Sequence, residues 1–258
     1  MSKRIGIFVI AYNAETTLTH VLERIPSQIV DKVEEIFVID DCSPDRTYDV
    51  GRGYADGPAA AQLTVQRNPV NLMYGGNQKR GYEYAIERGL DIVVLLHGDG
   101  QYAPEVMQRL LEPLETGQAE MVMGSRMLEA GAALKGHMPL YKYAGNKILT
   151  TVQNQLLGTR FSEFHSGYRA YACHALKTLD FDQMTDNWHF DTQIILEFLR
   201  RGYPIAEVPI PTYYGDEICH VNGVPYAYAC VKATARFAWQ QRWKRRLALR
   251  ASQRPKQM

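Results

Sequence analysis

The 258-residue chain predicts a doubly wound α/β domain, a mostly parallel central sheet flanked by helices, with a C-terminal helical extension. Short β-branched runs alternate with longer segments of helical period, the pattern of parallel strands joined by helical crossovers. The runs at 5–10, 36–39 and 92–96 are nearly unbroken apolar stretches, as expected of strands covered on both faces. A chain of this length can bury one large core, and 46% hydrophobic with 22% charged residues argues against disorder.

Taken in order, "IGIFVIAY" is a strand and "AETTLTHVLERIP" a helix, with Asn13 placed to cap it. "EEIFVIDD" and "SPDRTYDVGRGYA" repeat the pair, as do "QLTVQRN" and "GGNQKRGYEYAIERG". "DIVVLLHGD" precedes "APEVMQRLLEPLETG", where Pro104 suits a first helical turn, and "EMVMGSR" is the next strand. Beyond residue 127, "LEAGAALKGHMP" reads as a mobile loop and "LYKYAGNKILTTVQNQLLG" as a helix. A helix in "NWHFDTQIILEFLRRG" and a strand in "IAEVPIPTYY" complete a domain expected over 1–221, with a basic amphipathic helix and tail over 222–258.

Lys plus Arg, at 29, nearly balances Asp plus Glu, at 28, so no overall field points to nucleic acid as a partner. Cys42, Cys173, Cys219 and Cys230 are scattered without a CxxC pair and read as free thiols in a reducing compartment. The N-terminus reads as a strand rather than a signal peptide, which gives a cytoplasmic expectation. No stretch approaches the roughly 20 apolar residues of a spanning helix, so membrane contact is expected to be peripheral.

Ligands of open parallel sheets bind at the carboxyl ends of the strands. Four such ends carry polar signals: Tyr12-Asn13, Asp40-Asp41, Asn71 to Gly76, and His97 to Gln101. The Asp pair suits hydrogen bonds from a ribose or base, or capping of the next helix. Gly75 and Gly76 let backbone amides approach a diphosphate, or mark a plain turn. In "HGDGQ" the two glycines permit a tight backbone, and Asp99 offers a hard oxygen for Mg²⁺ or Mn²⁺ shared with phosphates, with Gln101 adding a carbonyl. On spacing alone the stretch reads equally as a polar turn.

The segments "VIAYNAETTL", "FVIDDCSPDRT", "GGNQKRGYEYAI", "LLHGDGQYAPE", "MGSRM" and "HSGYRAYACHAL", in this order, resemble family 2 glycosyltransferases of the GT-A fold. The likeness runs from about Ile5 to Tyr214 and is nearest to the branch of dolichyl-phosphate mannose synthase and bacterial polyprenyl-phosphate glycosyltransferases. It implies the GT-A nucleotide-diphosphosugar transferase fold and an inverting, Mg²⁺- or Mn²⁺-dependent sugar transfer from a UDP- or GDP-linked donor. The implied acceptor is a polyprenyl phosphate or cell-envelope glycan intermediate, reached at the inner face of the cell membrane. Tyr12, Asn13, Asp40 and Asp41 then hold the nucleoside, with Gly75, Gly76, His97 and Gly98 beside the donor. Asp99 and Gln101 match the metal-binding Asp-x-Asp motif and the glutamine after it, while His97 stands where the first aspartate belongs. Three roles are open to His97: a nitrogen ligand, which Mn²⁺ tolerates better than Mg²⁺; a contact to the donor phosphate or sugar; or a loop hydrogen bond in a catalytically degenerate nucleotide-sugar-binding protein.

Arg126, in "GSR", adds positive charge for the leaving group or a phosphate acceptor, or forms a surface salt bridge. A hydroxyl acceptor needs a carboxylate base, whereas a lipid phosphate arrives ionised. Asp191, at the start of a helix, is the candidate base, or stabilises that helix terminus. Asp216, Glu217 and His220 in "PTYYGDEICHVNG" are candidate acceptor or loop contacts. In the C-terminal segment, Tyr226, Phe237, Trp239 and Trp243 alternate with Lys232, Arg236, Arg242, Lys244, Arg245 and Arg246. That pattern suits a helix lying on an anionic membrane, or one packed on the domain with a solvated basic end. A sugar-phosphate nucleotidyltransferase would carry a glycine-rich loop and a basic residue where this chain has "FVIAYNAET".

Overall fold

A computed structural model describes residues 2–56, 62–212 and 222–252, with side chains of the last helix described through residue 242. Its strands are β1 (Ile5–Ala11), β2 (Glu35–Asp40), β3 (Leu63–Arg67), β4 (Ile92–His97), β5 (Met121–Ser125), β6 (Arg169–Ala172) and β7 (Ile205–Pro209). They form one sheet in the order β3-β2-β1-β4-β6-β5-β7. All neighbours run parallel except β6, which is antiparallel to β4 and β5. The mostly parallel sheet expected from the sequence is therefore present.

Every residue of β1 is buried, and Phe8 at its centre stacks on Phe37 of β2 with ring centroids 5.2 Å apart. The register pairs Ala11 with Asp40 and Ile10 with His97, so β1, β2 and β4 end at one level. Chain direction across the sheet reverses between β1 and β4, which opens the crevice where α/β sheets bind ligands.

The helices are α1 (Leu18–Glu23), α2 (Ser27–Val30), α3 (Thr47–Ala55), α4 (Met73–Glu87), α5 (Met107–Glu115), α6 (Ala132–Lys135), α7 (Leu140–Leu157), α8 (Cys173–Leu176), α9 (Phe190–Arg201) and α10 (Gly223–Ser252). The single helix expected over "AETTLTHVLERIP" is shorter than its pattern, because Pro26 sits in an extended conformation and separates α1 from α2. Asn13 does not cap it: with φ at +52° it turns the chain, and its amide donates to Ser43 Oγ at 3.0 Å. Pro104 does open a single 3₁₀ turn that leads into α5. The expected mobile loop before α7 instead holds α6, where Met127, Ala133 and Met138 bury a small cluster of their own.

Cys230, Thr234 and Ala238 of α10 are buried. Thr234 Oγ1 accepts from Gln153 of α7 at 3.2 Å, and Thr192 of α9 donates to Cys230 Sγ at 3.3 Å. Cys42, Cys173 and Cys230 are free thiols, and Cys219 lies outside the described residues. No helix among the described residues is long and apolar enough to cross a membrane.

Candidate functional site

A cleft of about 1270 Å³ lies over the ends of β1, β2 and β4, lined among others by Tyr12, Asn13, Asp41, Tyr74, His97, Asp99, Gln101 and Trp188. It exceeds the roughly 300–1,000 Å³ of a single small-molecule pocket, which leaves room for two ligands.

One wall is stitched together from the loops after β1 and β2. The Ala14 amide donates to Thr47 Oγ1 at 2.8 Å and that of Glu15 to Asp45 Oδ2 at 3.2 Å. Asp45, rather than either member of the Asp40-Asp41 pair, supports the start of α3 by accepting from the Thr47 amide at 3.0 Å. Asp40 is fully buried, takes the Ser43 amide and hydroxyl, and pairs with Arg67 at 3.3 Å. It braces the loop from beneath and is not part of the cleft lining. Asp41 does line the cleft, held by Asn68 Nδ2 at 2.8 Å and the Leu72 amide at 2.9 Å. Burial raises the pKa of both carboxyls. Tyr12 is 47% exposed and lines the cleft.

Gly75 and Gly76 lie within the first turn of α4, not before it. Their amides donate to the Asp186 carbonyl at 2.6 and 3.3 Å instead of facing a diphosphate. A Cβ on Gly75 would stand 2.7 Å from Phe190 Cβ, so glycine here permits α4 to approach the 185–190 segment.

The "HGDGQ" stretch is both a tight turn and a presenting loop. Gly98 donates to Ile10 O at 2.9 Å and accepts from Thr17 Oγ1 at 2.7 Å, while Gly100 takes φ of +80°. Asp99 projects exposed, and Oδ1 accepts the Gln101 amide at 2.9 Å. No cluster of three or more His, Cys, Asp or Glu among the described residues could hold a metal alone. One open carboxylate and one amide carbonyl nevertheless fit Mg²⁺ or Mn²⁺, which take remaining ligands from substrate phosphates and water.

His97 closes β4 with its ring nearly perpendicular to that of Tyr102, centroids 4.9 Å apart. A Cβ on Gly167 would come within 2.7 Å of that ring. Burial lowers the imidazole's pKa, which favours the neutral form. His97 Nε2 lies 3.3 Å from the Tyr74 hydroxyl, which donates to Asp191 Oδ2 at 3.0 Å. Tyr74 in turn stacks on Trp188 at 4.5 Å.

Asp191 sits in the first turn of α9, as its sequence position implied, but is only 6% exposed and outside the cleft lining. Oδ1 accepts from Gln78 at 3.1 Å and lies 3.6 Å from Arg169. Its carboxylate faces inward behind Tyr74. Arg126 is likewise internal. Its Nε bonds Glu163 Oε1 at 3.0 Å and its backbone amide bonds Oε2 at 2.8 Å, with Asn146 reaching the same carboxylate at 2.7 Å. Burial pushes the Glu163 carboxyl up, but Arg126 outweighs it and holds the group below its usual range. Arg126 also borders a smaller pocket of about 190 Å³ together with Tyr143 and Lys147. Asp216, Glu217 and His220 lie outside the described residues.

Trp188, Gly167 and Glu163 were not singled out from the sequence, and Tyr74 was named there only as part of the Tyr74-Gly75-Gly76 stretch.

The sequence pattern described as Glycosyl transferase family 2 matches residues 6–180. The chain is 29% identical over 212 residues to an undecaprenyl-phosphate mannosyltransferase of Micrococcus luteus, covering 80% of this chain and 82% of that one. It is 28% identical over 224 residues to a UDP-N-acetylglucosamine--dolichyl-phosphate N-acetylglucosaminyltransferase of Methanococcus voltae, covering 83% and 87%. Glucosyl-3-phosphoglycerate synthase from Mycobacterium tuberculosis, solved with UDP, shares the fold with a TM-score of 0.68 at 18% identity, over 92% of this chain and 80% of that one. The same enzyme solved with Mn²⁺, UDP and phosphoglyceric acid gives 0.66, also at 18% identity and over 92% of this chain and 78% of that one.

Proposed function

The chain belongs to glycosyl transferase family 2, and from that premise we propose that it moves a sugar, with inversion, from a UDP- or GDP-linked donor to a polyprenyl phosphate at an anionic membrane surface. One observation carries this reading. The open carboxylate at the strand ends is Asp99, whereas Asp191, the candidate base, is bonded into the interior. A phosphate acceptor is already ionised and needs no base to remove a proton. Both relatives named above are described as acting on lipid phosphates, in keeping with this choice.

In this reading Tyr12 stacks on the base, and Asp41 accepts hydrogen bonds from the base or ribose beside Asn13. Asp40 acts at one remove, by holding the loop that carries Asp41. Asp99 and Gln101 would hold Mg²⁺ or Mn²⁺ together with the donor diphosphate. When bound, such a cation stabilises the charge that develops on the departing nucleoside diphosphate. Gly98 lets the turn after β4 pack closely on the end of β1, where a Cβ would come within 3.2 Å of Ile10 O, and so sets the position of Asp99. Arg126 braces the 162–169 segment through Glu163 while adding positive potential nearby. Asp216, Glu217 and His220 follow β7 in the sequence and are assigned to the acceptor side.

The membrane assignment rests on α7 and α10, which pack on each other. Neither helix contains an Asp or Glu, although the whole chain is nearly charge-balanced. Their exposed faces carry Leu140, Tyr141, Ile148, Val224, Tyr228 and Trp239, with Lys232, Arg236 and Arg242 among them. Aromatic and aliphatic side chains interleaved with cations suit the headgroup region of an anionic bilayer. The basic helix expected from the sequence thus becomes half of a two-helix platform.

The test supplies the full chain with radiolabelled UDP- and GDP-sugars, Mn²⁺ or Mg²⁺, and undecaprenyl phosphate in anionic liposomes, beside saccharide acceptors. Label entering a solvent-extractable glycolipid with inverted anomeric configuration is expected. Label on saccharides alone would overturn the acceptor. Donor binding without transfer to any acceptor would favour the nucleotide-sugar-binding protein that lacks turnover.

A further inference from the structure

The inner face of α10 is polar where a docked helix ordinarily presents an apolar stripe. Tyr226, Cys230 and Thr234, at i, i+4 and i+8, lie on one side of the helix, and each meets a different part of the domain. Tyr226 Oη is 2.9 Å from His165 Nδ1, Cys230 Sγ accepts from Thr192 of α9, and Thr234 Oγ1 accepts from Gln153 of α7. Among the described residues of α10, none joins the main apolar core. Two atoms of this seam, Gln153 Oε1 and His165 Nε2, are sealed from solvent without a hydrogen-bond partner among the described residues. A hydrogen bond gains little net free energy, and a sealed polar atom left unpartnered costs as much or more. The seam therefore holds α10 weakly. The first rung of the seam leads to the cleft. The His165 carbonyl accepts from Arg126 at 3.3 Å, those of Phe164 and Ser166 accept from Arg169 at 2.9 and 2.8 Å, and the Gly167 amide donates to Tyr102 Oη at 2.7 Å. A Cβ on Gly167 would stand 2.7 Å from the His97 ring and 2.9 Å from the Tyr74 hydroxyl, and both of those residues line the cleft. Close-packed interiors transmit displacement, so a shift at His165 is felt two residues on, at that wall.

We propose that Tyr226 and His165 form a latch between the membrane face of α10 and the wall of the cleft, so that an anionic bilayer which seats α10 tightens the hold on the donor nucleotide even when it supplies no acceptor. Both are positioning residues, acting on the site through Gly167. The inference rests on the donor site and the membrane surface of the proposed function and adds the link between them. On the side of α10 away from the seam, Tyr228 and Trp239 are exposed together with Lys232 and Arg236. A bilayer that binds the seated helix stabilises that state by mass action, and a weakly held seam leaves it a population to shift. Linkage then requires reciprocity. Bound nucleotide must raise the affinity for vesicles by the same factor by which vesicles raise the affinity for nucleotide.

The test titrates the full chain with UDP and, separately, GDP in the presence of Mn²⁺, with and without vesicles of phosphatidylglycerol and phosphatidylcholine that contain no polyprenyl phosphate. The vesicles should tighten the nucleotide that binds by about fivefold, the low end of allosteric couplings. That nucleotide should raise the affinity for vesicles, read by sedimentation, by the same factor. Tyr226→Phe keeps the ring and removes the hydroxyl, so both gains should disappear in a variant that still binds vesicles and nucleotide. Thr234→Val breaks the bond to Gln153 two turns further along the seam and should keep both gains. Vesicles and nucleotide that each bind without affecting the other would overturn the link while leaving the donor site and the membrane surface standing. Equal loss of the gains in Thr234→Val and Tyr226→Phe would overturn the latch, since any loosening of α10 would then suffice. Failure of the unmodified chain to bind either nucleotide, or to bind the vesicles, would overturn the proposed function and this link with it.

Discussion

Asp99 and Asp191 are both tied to His97, the first by two steps along the chain and the second through the Tyr74 hydroxyl, yet their surroundings are opposites. Asp99 is exposed and receives one hydrogen bond, from the Gln101 amide at 2.9 Å. Asp191 is 6% exposed and takes hydrogen bonds from Tyr74 and Gln78 beside the Arg169 guanidinium. Around Asp191 the other charges are similarly closed, Arg126 on Glu163 above all. The turn after β4 leaves its acceptor atoms available to a ligand. The block formed by α4, Arg126 after β5, the 162–168 segment, β6 and α9 pairs its buried charges internally and holds that turn in place. Substitutions in the two regions should therefore separate ligand chemistry from stability.

The largest expected effect lies in the closed block. Asp191→Ala leaves Arg169 buried without its partner, which should cost about 3–5 kcal/mol of unfolding free energy. Urea denaturation measures it, and a midpoint near that of the unmodified chain would erase the contrast. Asp99→Asn is the converse. Transfer should fall by about 10²–10³, comparable to removing one group that stabilises developing charge. The urea midpoint should correspond to a change of no more than about 0.5 kcal/mol, as for an exposed substitution. A parallel loss of stability would show that Asp99 also belongs to the scaffold.

The closed block should also make the protein sensitive to acid. His165, whose carbonyl accepts from Arg126 at 3.3 Å, is pushed down to about 3 by burial. An unfolded histidine takes up a proton below about 6.5 while the folded one does not, so falling pH favours unfolding. Stability should drop by about 1.4 kcal/mol per pH unit as pH falls from 6.5 toward 3. Glu163, held below its usual range, adds to the loss once pH falls below its unfolded value. Denaturation midpoints at pH 7 and pH 5 measure the slope, and His165→Gln should flatten its upper part. An unchanged slope in that variant would place the sensitivity elsewhere.

The smallest effect belongs to the platform, which is part of neither region. Lys232→Glu with Arg242→Glu should weaken sedimentation with anionic vesicles by about 1 kcal/mol for each positive charge removed, and nucleotide binding should not change. Equal partitioning into neutral and anionic vesicles by the unmodified chain would remove the electrostatic part of the membrane reading.

The open region was legible in the sequence because its signal is local. Apolar runs end abruptly at Ala11, Asp40 and His97, and Asp99 and Gln101 follow within four residues of the last. The closed region was not legible, because its contacts are remote. Asp191 meets Tyr74 and Gln78 across 117 and 113 positions, and no periodicity links such residues. The paired glycines show how a local signal can mislead. Gly75-Gly76 resembles an amide cradle, but it exists for a close approach to a segment some hundred residues later. The stretch around α6 misled in the other direction. Its Gly and Ala content suggests a loop, while Met127, Ala133 and Met138, at spacings that fit no helix face, converge into a buried cluster.

The open character of Asp99 is tested most directly by a crystal structure of the full chain with UDP and Mn²⁺. The expected result is an anomalous manganese peak against the Asp99 carboxylate and the diphosphate, with the uracil beside Tyr12 and Asp41. A peak away from Asp99, or a base on a different wall of the cleft, would contradict it.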